Sequence, residues 1–577
     1  MIWYFDNLQR NRTERETLDA LASSVAWLTP VGWRIDGELR LVWDADITTP
    51  AGSRPVSLRY PNHFPYSPPL VLPRGDMRRW SDHQYGPGGE LCLEYGPDNW
   101  HQDLTGADMI ASAHRLLEGE QPAPDQSAEV ASRHETTVGQ DLRDTFSRLL
   151  VTRNLVSAVA QIPENVLLAA NTLGMFHGDS FVQVVSAITF PDGHVWREEL
   201  PESDNLGFDR PIALLRWPRG TPLPSRESLS QFRAALAERA MELPKVKYAV
   251  VVRSSRIRVY FLNEDNNTLF ETSVIPAQPF SPRLDEKHAK LADRRVSIVG
   301  CGSFGSKIAV SLARAGVGKF LLIDDDILLP DNLVRNDLDW REVGTHKADS
   351  VAVKIQLVNP KAERAVRKHR LGGQEASGSI ETLIEHLGTC DLIVDATADP
   401  AVFNYVSAAV AIAKKPLVWA EIFGGGFGGM LARHRPSHEP EPATMRRIIE
   451  NWCAEQGQPI ERAARSYGGG RTAPAIADDA DVTVIAGYAA RMAIDLLIPR
   501  ETSIFPHSVY LIGLAEGWIF TQPFETRPID VGEPVPHTEQ PMDEGAAIAE
   551  RARIRRLFEE YGNAGSSGST GNQAPSA

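Results

Sequence analysis

The sequence predicts a multi-domain α/β protein with a mainly parallel sheet in its C-terminal half. The chain has 577 residues, which is too many for a single hydrophobic core. A proline-rich break, QPAPDQS at 121–127, indicates a linker after the first domain. From Arg295 the chain shows the order strand, glycine turn, helix, strand, which is typical of a parallel α/β unit.

We expect four segments: 1–120, 130–285, 286–525 and 543–577. The first has strand-like runs (LRLVWDADI, VSLRY), a glycine-rich loop and a helix, so it is α+β. The second alternates strands with a hairpin signal at Asp192-Gly193, and we interpret it as a central α+β linker domain without recognisable chemistry. The last is a charged helix followed by a glycine- and serine-rich tail that we expect to be disordered.

Composition restricts the class of function. The chain is 42% hydrophobic and 23% charged with a formal net charge of -15, so we expect no nucleic-acid partner. No run of eighteen apolar residues exists and the first residues lack the pattern of a signal peptide, so we expect no membrane partner and a cytoplasmic location. Four cysteines without a CxxC pair favour neither a zinc ribbon nor a disulfide framework.

A glycine-rich turn marks a nucleotide site. Gly300, Gly302 and Gly305 form GxGxxG between a strand and a helix, where backbone N–H groups can approach phosphates. Asp324 ends the next strand, and this position suits a ribose hydroxyl. The glycines and Asp324 alone fit an NAD-dependent oxidoreductase equally well.

Four further residues favour acyl-adenylate chemistry. Asn332, Arg335 and Lys347 follow the second strand, and Asp395 ends a later one. Attack of a carboxylate on an α-phosphate accumulates negative charge, which Arg335, Lys347 and a metal ion held by Asp395 can stabilise. Hydride transfer has no need of this set.

The stretches GCGSFGSKIAVSLARAGVGKFLLIDDD, NLVRN, THKA and DLIVDATAD resemble the ThiF and ubiquitin-activating enzyme superfamily over about 230 residues. This resemblance implies a Rossmann-like adenylation fold that uses ATP and magnesium. It places the three glycines at the phosphates, Asp324 at the ribose, Asn332, Arg335 and Lys347 at the phosphates, and Asp395 at the metal. The paired CxxC motifs of several bacterial relatives are absent, and Arg283 is only a candidate for the family's additional arginine.

Cys92 lies in the loop GGELCLEYGPDNW, where a thiol has the access that a nucleophile needs. The order PYSPP, His83, Cys92, Trp100 and a following helix resembles the ubiquitin-conjugating enzyme fold, in which this cysteine carries a thioester. Typical members have His-Pro-Asn, whose asparagine stabilises the oxyanion. Here the triplet is His83-Gln84-Tyr85, so that donor stays unassigned.

Cys453 lies in the crossing segment 436–480, where thiol-transferring activating enzymes have their catalytic cysteine. A packed role beside Ile449 stays open for it. We expect Cys301 and Cys390 to be structural, and Arg446 to lie on a solvated helical face.

The combined architecture is similar to the fused activating and conjugating enzymes of bacterial CBASS antiviral systems. The resemblance implies that the C-terminus of a ubiquitin-like or cGAS-like nucleotidyltransferase protein is adenylated, passed to Cys453 and then to Cys92, and joined to an amine-bearing target. Activating relatives often form homodimers. The alternatives are a sulfur-carrier adenylyltransferase of thiamine or molybdopterin type, an NAD-dependent oxidoreductase, and a binding module without catalysis.

Overall fold

The computed structural model describes the chain except residues 1, 51, 77–79, 82, 87, 121–137, 144, 201–206, 222, 224–227, 255, 277–283, 370, 372–376, 458–476, 535–541 and 567–577. The expected linker at 121–127, Arg283, most of the segment that follows Cys453 and the terminal tail lie outside the described residues. The chain divides into two compact units, Met1–Thr145 and Phe146–Ala577.

The first unit is a four-stranded antiparallel sheet with helices before and after it. Its elements are α1 (Trp3–Asp6), α2 (Leu8–Ser24), β1 (Leu28–Ile35), β2 (Leu41–Thr49), β3 (Gly52–Arg59), β4 (Leu70–Pro73), α3 (Gly106–Glu120) and α4 (Val138–Asp141). The strands pair in the order β1-β2-β3-β4. Helix α3 packs its apolar face, including Ile110 and Ala113, on a core that contains Trp43.

Helix α2 was not assigned from the sequence, and its buried Glu14 explains part of the packing. The Glu14 carboxylate accepts hydrogen bonds from the Tyr60 hydroxyl at 2.7 Å and from the Gly106 N–H at 2.6 Å. Arg10 lies 2.8 Å from the same carboxylate. This buried charge is therefore partnered, and it ties α2 to the start of α3.

The second unit begins with an eight-stranded mixed sheet. Its elements are β5 (Ser147–Leu150), α5 (Arg153–Ala160), β6 (Val166–His177), β7 (Ser180–Thr189), β8 (Val195–Arg197), β9 (Phe208–Trp217), α6 (Leu229–Ala237), β10 (Tyr248–Arg253), β11 (Arg256–Asn263) and β12 (Thr268–Ile275). The strand order is β5-β12-β11-β10-β9-β6-β7-β8. Gly193 has a φ of 85° between β7 and β8, which confirms the predicted hairpin turn.

The third sheet contains the glycine turn. Its elements are β13 (Arg295–Val299), α7 (Ser303–Ala315), β14 (Lys319–Ile323), α8 (Lys347–Val358), β15 (Glu363–Arg367), α9 (Ser377–Gly388), β16 (Leu392–Asp395), α10 (Pro400–Ala413), β17 (Leu417–Ile422), β18 (Gly428–His434), α11 (Pro442–Glu455), α12 (Asp479–Leu497), β19 (Val509–Gly513) and β20 (Thr526–Ile529). The order β15-β14-β13-β16-β17 is parallel, and β18, β19 and β20 continue it antiparallel. The predicted parallel pairing is confirmed for the five strands β13 to β17.

Two hydrophobic clusters cover the faces of this sheet. One contains residues of α7, α8 and α12, and the other contains residues of α9, α10 and α11. The strands alternate between them, since Leu322 belongs to the first cluster and Ile323 to the second. The chain leaves β13 toward β14 and β15 and returns to β16 on the opposite side of β13. This reversal opens a crevice at the carboxyl ends of the strands.

Helix α13 (Glu544–Ser566) follows the third sheet and exposes Ile548, Leu557 and Phe558. No helix in the described part of the chain combines the length and the apolar character that crossing a bilayer requires.

Candidate nucleotide and thiol sites

A cleft lies at the crevice formed by β13, β14 and β16. It holds about 1000 Å³ of space open to solvent. The side chains and backbone that line it include Gly300, Gly302, Asp324, Lys347 and Thr397. Four of these five were predicted from the sequence as nucleotide-site residues, and the fold brings them together at the place where open α/β sheets bind ligands.

The glycine turn is tight for steric reasons. Gly300 has a φ of 86°, and a Cβ on it would lie 2.8 Å from the Thr397 side chain. A Cβ on Gly305 would lie 1.7 Å from the Gly300 carbonyl oxygen, so only glycine fits there. Gly302 caps α7 and has open space around it. The N-terminus of α7 therefore faces the cleft without a side chain in the way, as anion binding requires.

Asp324 lies at the end of β14 and fastens the turn. Its Oδ2 accepts a hydrogen bond from the Cys301 N–H at 2.6 Å, and its Oδ1 accepts one from the Asp326 N–H at 2.8 Å. Burial raises the pKa of this carboxyl, and the two backbone N–H groups act in the opposite direction. Asp324 thus lines the cleft and also holds the backbone of the phosphate turn.

Lys347 is the first residue of α8, and its ammonium group reaches the cleft. The Lys347 Nζ lies 2.5 Å from Asp326 Oδ2. The lysine side chain is 9% exposed, whereas that of Asp326 is 70% exposed. Sequence reasoning missed this pair. The three consecutive aspartates at 324–326 were the sequence feature that could have indicated an acidic partner for Lys347.

Asn332 and Arg335 are not among the described residues that line this cleft. Asn332 lies in a short 3-10 helix, Pro330–Val334, and its side-chain oxygen accepts a hydrogen bond from the Leu329 N–H at 3.0 Å. The segment contacts the phosphate turn through Asn336, whose side chain donates to the Cys301 carbonyl at 3.3 Å. In this conformation Asn332 acts as a helix cap.

Asp395 ends β16, as expected, and lines a second cavity, which holds about 530 Å³ of space that is partly open to solvent. Its Oδ1 accepts hydrogen bonds from the Thr397 N–H at 3.0 Å and hydroxyl at 2.6 Å. Burial raises the pKa of Asp395 to about 6. Asp399 caps α10 and lines both this cavity and the nucleotide cleft. Sequence reasoning passed over Asp399, although it stands in the same DATADP stretch.

The second cavity has aromatic walls and a charged rim. Phe403 and Trp419 line it together with Glu421 and Glu450. Arg446 lies 3.2 Å from Glu450 and stacks over the Phe403 ring at 5.1 Å. The expectation of a solvated helical face was therefore wrong for Arg446, because its side chain turns into this cavity.

Cys453 lies on α11 and is 3% exposed. It belongs to the same hydrophobic cluster as Ile449. Burial, with smaller contributions from Glu421 and Glu450, raises the pKa of Cys453 to about 11. In the described conformation this thiol is protonated at neutral pH. Cys301 and Cys390 are buried and form no disulfide, as expected for structural cysteines.

Cys92 is half-buried on a loop between β4 and α3. Its N–H donates to the His83 carbonyl at 2.7 Å. The His83 Nε2 lies 3.9 Å from Glu120 at the end of α3. Trp100 donates from its indole N–H to the Pro65 carbonyl at 2.8 Å, which fixes the loop that follows Cys92. The fold therefore places His83 and Cys92 side by side.

Known proteins resemble the C-terminal part of this chain. Residues 278–503 match the model of the ThiF family. The chain is 32% identical over 151 residues to the sulfur carrier protein ThiS adenylyltransferase of Escherichia coli, covering 26% of this chain and 57% of that protein. It is 26% identical over 183 residues to the ATP-dependent ubiquitin transferase-like protein Cap2 of Pseudomonas aeruginosa, covering 29% and 31%.

These matches span less than two thirds of either relative. Among solved structures, that of E. coli MccB with ATP has 18% sequence identity and a TM-score of 0.34, covering 43% of this chain and 67% of that one. The matched residues 278–503 contain the glycine turn, Asp324, Lys347 and Asp395. The C-terminal part of this chain is therefore a ThiF family domain.

Proposed function

We propose that this chain activates a protein C-terminus with ATP and transfers it through cysteine thiols to an amine. One observation carries the activation step: a glycine turn, a helix N-terminus and the nearly buried Lys347 meet in one cleft at the switch point of the parallel sheet. Backbone N–H groups and an ammonium group suit a polyphosphate. The name of the relative Cap2, an ATP-dependent ubiquitin transferase-like protein, supports the same class of reaction.

In the first step a carboxylate oxygen of the substrate attacks the α-phosphorus of ATP. A P–O bond forms to the carboxylate, the bond to pyrophosphate breaks, and the products are an acyl adenylate and pyrophosphate. Lys347 can turn from Asp326 toward the phosphates and stabilise the added negative charge. For Asn332 and Arg335, the sequence-based proposal of phosphate contact requires the segment after β14 to move toward the cleft.

The donor set fits magnesium. Among the described residues no group of three His, Cys, Asp or Glu could hold a metal. Magnesium bound with a nucleotide needs only one or two carboxylates, because phosphates and waters complete its octahedron. Asp395 at the end of β16 and Asp399 at the start of α10 line the same cavity and can supply these carboxylates. When bound, the ion would neutralise phosphate charge.

In the later steps the acyl group moves to Cys453 and then to Cys92. Each thiolate attacks the carbonyl carbon; AMP leaves in the first transfer and the Cys453 thiolate leaves in the second. Because Cys453 is buried, this proposal requires α11 to open, or the second cavity to admit the adenylate, before Cys453 can react. Cys92 already lies on an accessible loop.

The proposed substrate is a ubiquitin-like or cGAS-like nucleotidyltransferase protein, joined through its C-terminus to an amine in antiviral defence. The combination of a cysteine loop in the first unit with an adenylation fold in the second supports conjugation. A sulfur-carrier adenylyltransferase is the second candidate, supported by the 32% identity to the ThiS adenylyltransferase. That reaction needs no thiol in the first unit.

Calorimetry with ATP and with NAD tests the nucleotide, and exchange of labelled pyrophosphate into ATP tests the adenylate. The protein substrates to use are those encoded by the neighbouring genes. We expect ATP binding, no NAD binding, and exchange that Asp395→Ala and Asp399→Ala each abolish. NAD binding without ATP binding would contradict the proposal. Normal exchange in both variants would show that neither carboxylate holds the metal.

A further inference from the structure

His83 to Tyr85 and Glu90 to Cys92 pair as a short antiparallel ladder. The Cys92 N–H donates to the His83 carbonyl at 2.7 Å, and the Tyr85 N–H donates to the Glu90 carbonyl at 3.0 Å. Between them Gln84 and Leu91 form a bridge. The ladder therefore pairs His83 with Cys92 and Tyr85 with Glu90.

This pairing determines which side chains share a face. Gln84 and Leu91 are 4% and 5% exposed, so their side chains point inward. Alternation along each arm then places Tyr85 and Cys92 together on the outward face, as diagonal neighbours. Tyr85 is 60% exposed, and besides burial, a side-chain hydrogen bond to Cys92 is among the causes that raise the pKa of its hydroxyl.

The ladder is held firmly enough to preserve this contact. The Gln84 side chain accepts from the Trp80 N–H at 2.7 Å and donates to the Gly89 carbonyl at 3.0 Å. A Cβ on Gly89 would lie 1.7 Å from the Tyr85 carbonyl oxygen, so only glycine fits at this position. The Leu91 N–H donates to Val71 on β4 at 2.9 Å. The buried Gln84 thus orients the residue that follows it.

We propose that the Tyr85 hydroxyl is the oxyanion donor for acyl transfer from Cys92, in the place that the asparagine of His-Pro-Asn holds in typical conjugating enzymes. This inference rests on the proposed acyl-Cys92 intermediate. A hydroxyl that is hydrogen-bonded to the sulfur of the free thiol is within reach of the thioester carbonyl oxygen, which lies two bonds from that sulfur.

The reaction balances with this donor. The amine nitrogen attacks the thioester carbon and a C–N bond forms, while Tyr85 O–H donates to the developing oxyanion. The C–S bond then breaks, Cys92 leaves as thiolate, and the amine proton is lost to solvent. The hydroxyl must stay protonated, and burial together with the charges of Cys92 and Glu90 raises its pKa, opposed by Arg143.

The test loads Cys92 directly and so needs no ATP and no protein substrate. Full-length Cys453→Ala protein is acylated with a triglycine thioester of a small aromatic thiol, desalted, and discharged with free lysine. Mass spectrometry follows the loss of the acyl group from Cys92. We expect Tyr85→Phe to slow discharge by about a hundredfold, the typical effect of removing one oxyanion donor. Tyr66→Phe, at a tyrosine that is 79% exposed, is the matched control and should discharge at the parent rate.

A pH profile separates a donor from a structural support. With 3,5-difluorotyrosine at position 85, which is more acidic and nearly the same size, the fall of the discharge rate at high pH should move to lower pH. This replacement also covers the case in which Tyr85→Phe lowers the melting temperature. A Tyr85→Phe rate within twofold of the parent, or an unmoved profile, would overturn this inference alone. A parent protein that takes no acyl group on Cys92 would overturn both this inference and the proposed function.

Discussion

The two candidate thiols differ most in their surroundings. Cys92 lies half-buried on a loop of the first unit, beside a tyrosine hydroxyl and a histidine backbone. Cys453 lies 3% exposed on a helix of the second unit, near two glutamates. Burial and negative charge both disfavour a thiolate. The Cys92 thiol is therefore accessible for reaction, whereas the Cys453 thiol is unreactive in its buried position.

This comparison indicates where a relay would be controlled. A thiol with a pKa of about 11 is almost entirely protonated at neutral pH, so Cys453 reacts slowly until its environment changes. The second cavity shares Asp399 with the nucleotide cleft, so an adenylate formed there would lie next to the helix that carries Cys453. Formation of the adenylate and exposure of the Cys453 thiol would then be coupled through the residues that the cleft and the cavity share.

The largest effect is expected upstream of both thiols. Lys347→Ala removes the ammonium group that lines the cleft, and pyrophosphate exchange should fall by about 10²–10³-fold. Lys354→Ala is the control, because Lys354 also lies on α8 but pairs with Asp337 at 3.0 Å. Equal rates of pyrophosphate exchange in the two variants would show that Lys347 does not act in the nucleotide site.

The reactivity of Cys453 measures the contrast directly. In Cys92→Ala protein, alkylation of Cys453 by iodoacetamide at pH 7.5 should be about a hundredfold slower than that of a free cysteine, whose pKa is about 8.5. The rate should rise about tenfold per pH unit up to a pH near 11, because the fraction of thiolate increases about tenfold per unit below the pKa of Cys453. Peptide mass spectrometry gives the site. Rapid alkylation at pH 7.5 would contradict the buried environment.

A smaller effect separates charge from burial at Cys453. Glu421→Gln removes one negative charge but leaves the packing, so the thiol pKa should fall and alkylation at pH 7.5 should accelerate by about threefold, less than one pKa unit. Glu455→Gln is the matched control, because Glu455 is an exposed residue of α11, the helix that carries Cys453. An identical response in the two variants would show that burial alone sets the pKa.

The smallest effect is expected on the adenylation step itself. Cys453→Ala should leave pyrophosphate exchange within about twofold of the unmodified protein, because the thiol acts only after the adenylate exists. Exchange is measured with the same protein substrates, and melting temperature controls for folding. Loss of exchange with an unchanged melting temperature would place Cys453 in the nucleotide site.

Much of the nucleotide cleft could be predicted from sequence because its determinants are local. Gly300 and Gly305 are fixed by a tight turn, Gly302 caps the helix that follows, and Asp324 and Lys347 start or end elements whose order is clear from periodicity. Asp399 was missed because its role depends on α10 lying between two cavities. Arg446 was misplaced because charge alone predicts a solvated face, while the cavity beneath α11 comes from tertiary packing.

The first unit shows the same division. The strands, the helix α3 and the exposed cysteine loop follow from local patterns. The contact between Tyr85 and Cys92 does not, since it depends on the ladder register that Gln84 and Leu91 set. Likewise, the burial of Cys453 reflects its whole cluster, and its neighbour Ile449 gave only a hint.

The most direct test of the relay is the linkage at Cys92. The protein is incubated with ATP, magnesium and the proteins encoded by neighbouring genes, and analysed by denaturing gel with and without reductant and by mass spectrometry. We expect a reductant-sensitive adduct on Cys92 that requires ATP and is absent in Cys453→Ala, and a reductant-resistant adduct that accumulates in Cys92→Ser. Normal amounts of final conjugate from Cys92→Ala would contradict the relay and leave the first unit as a docking module.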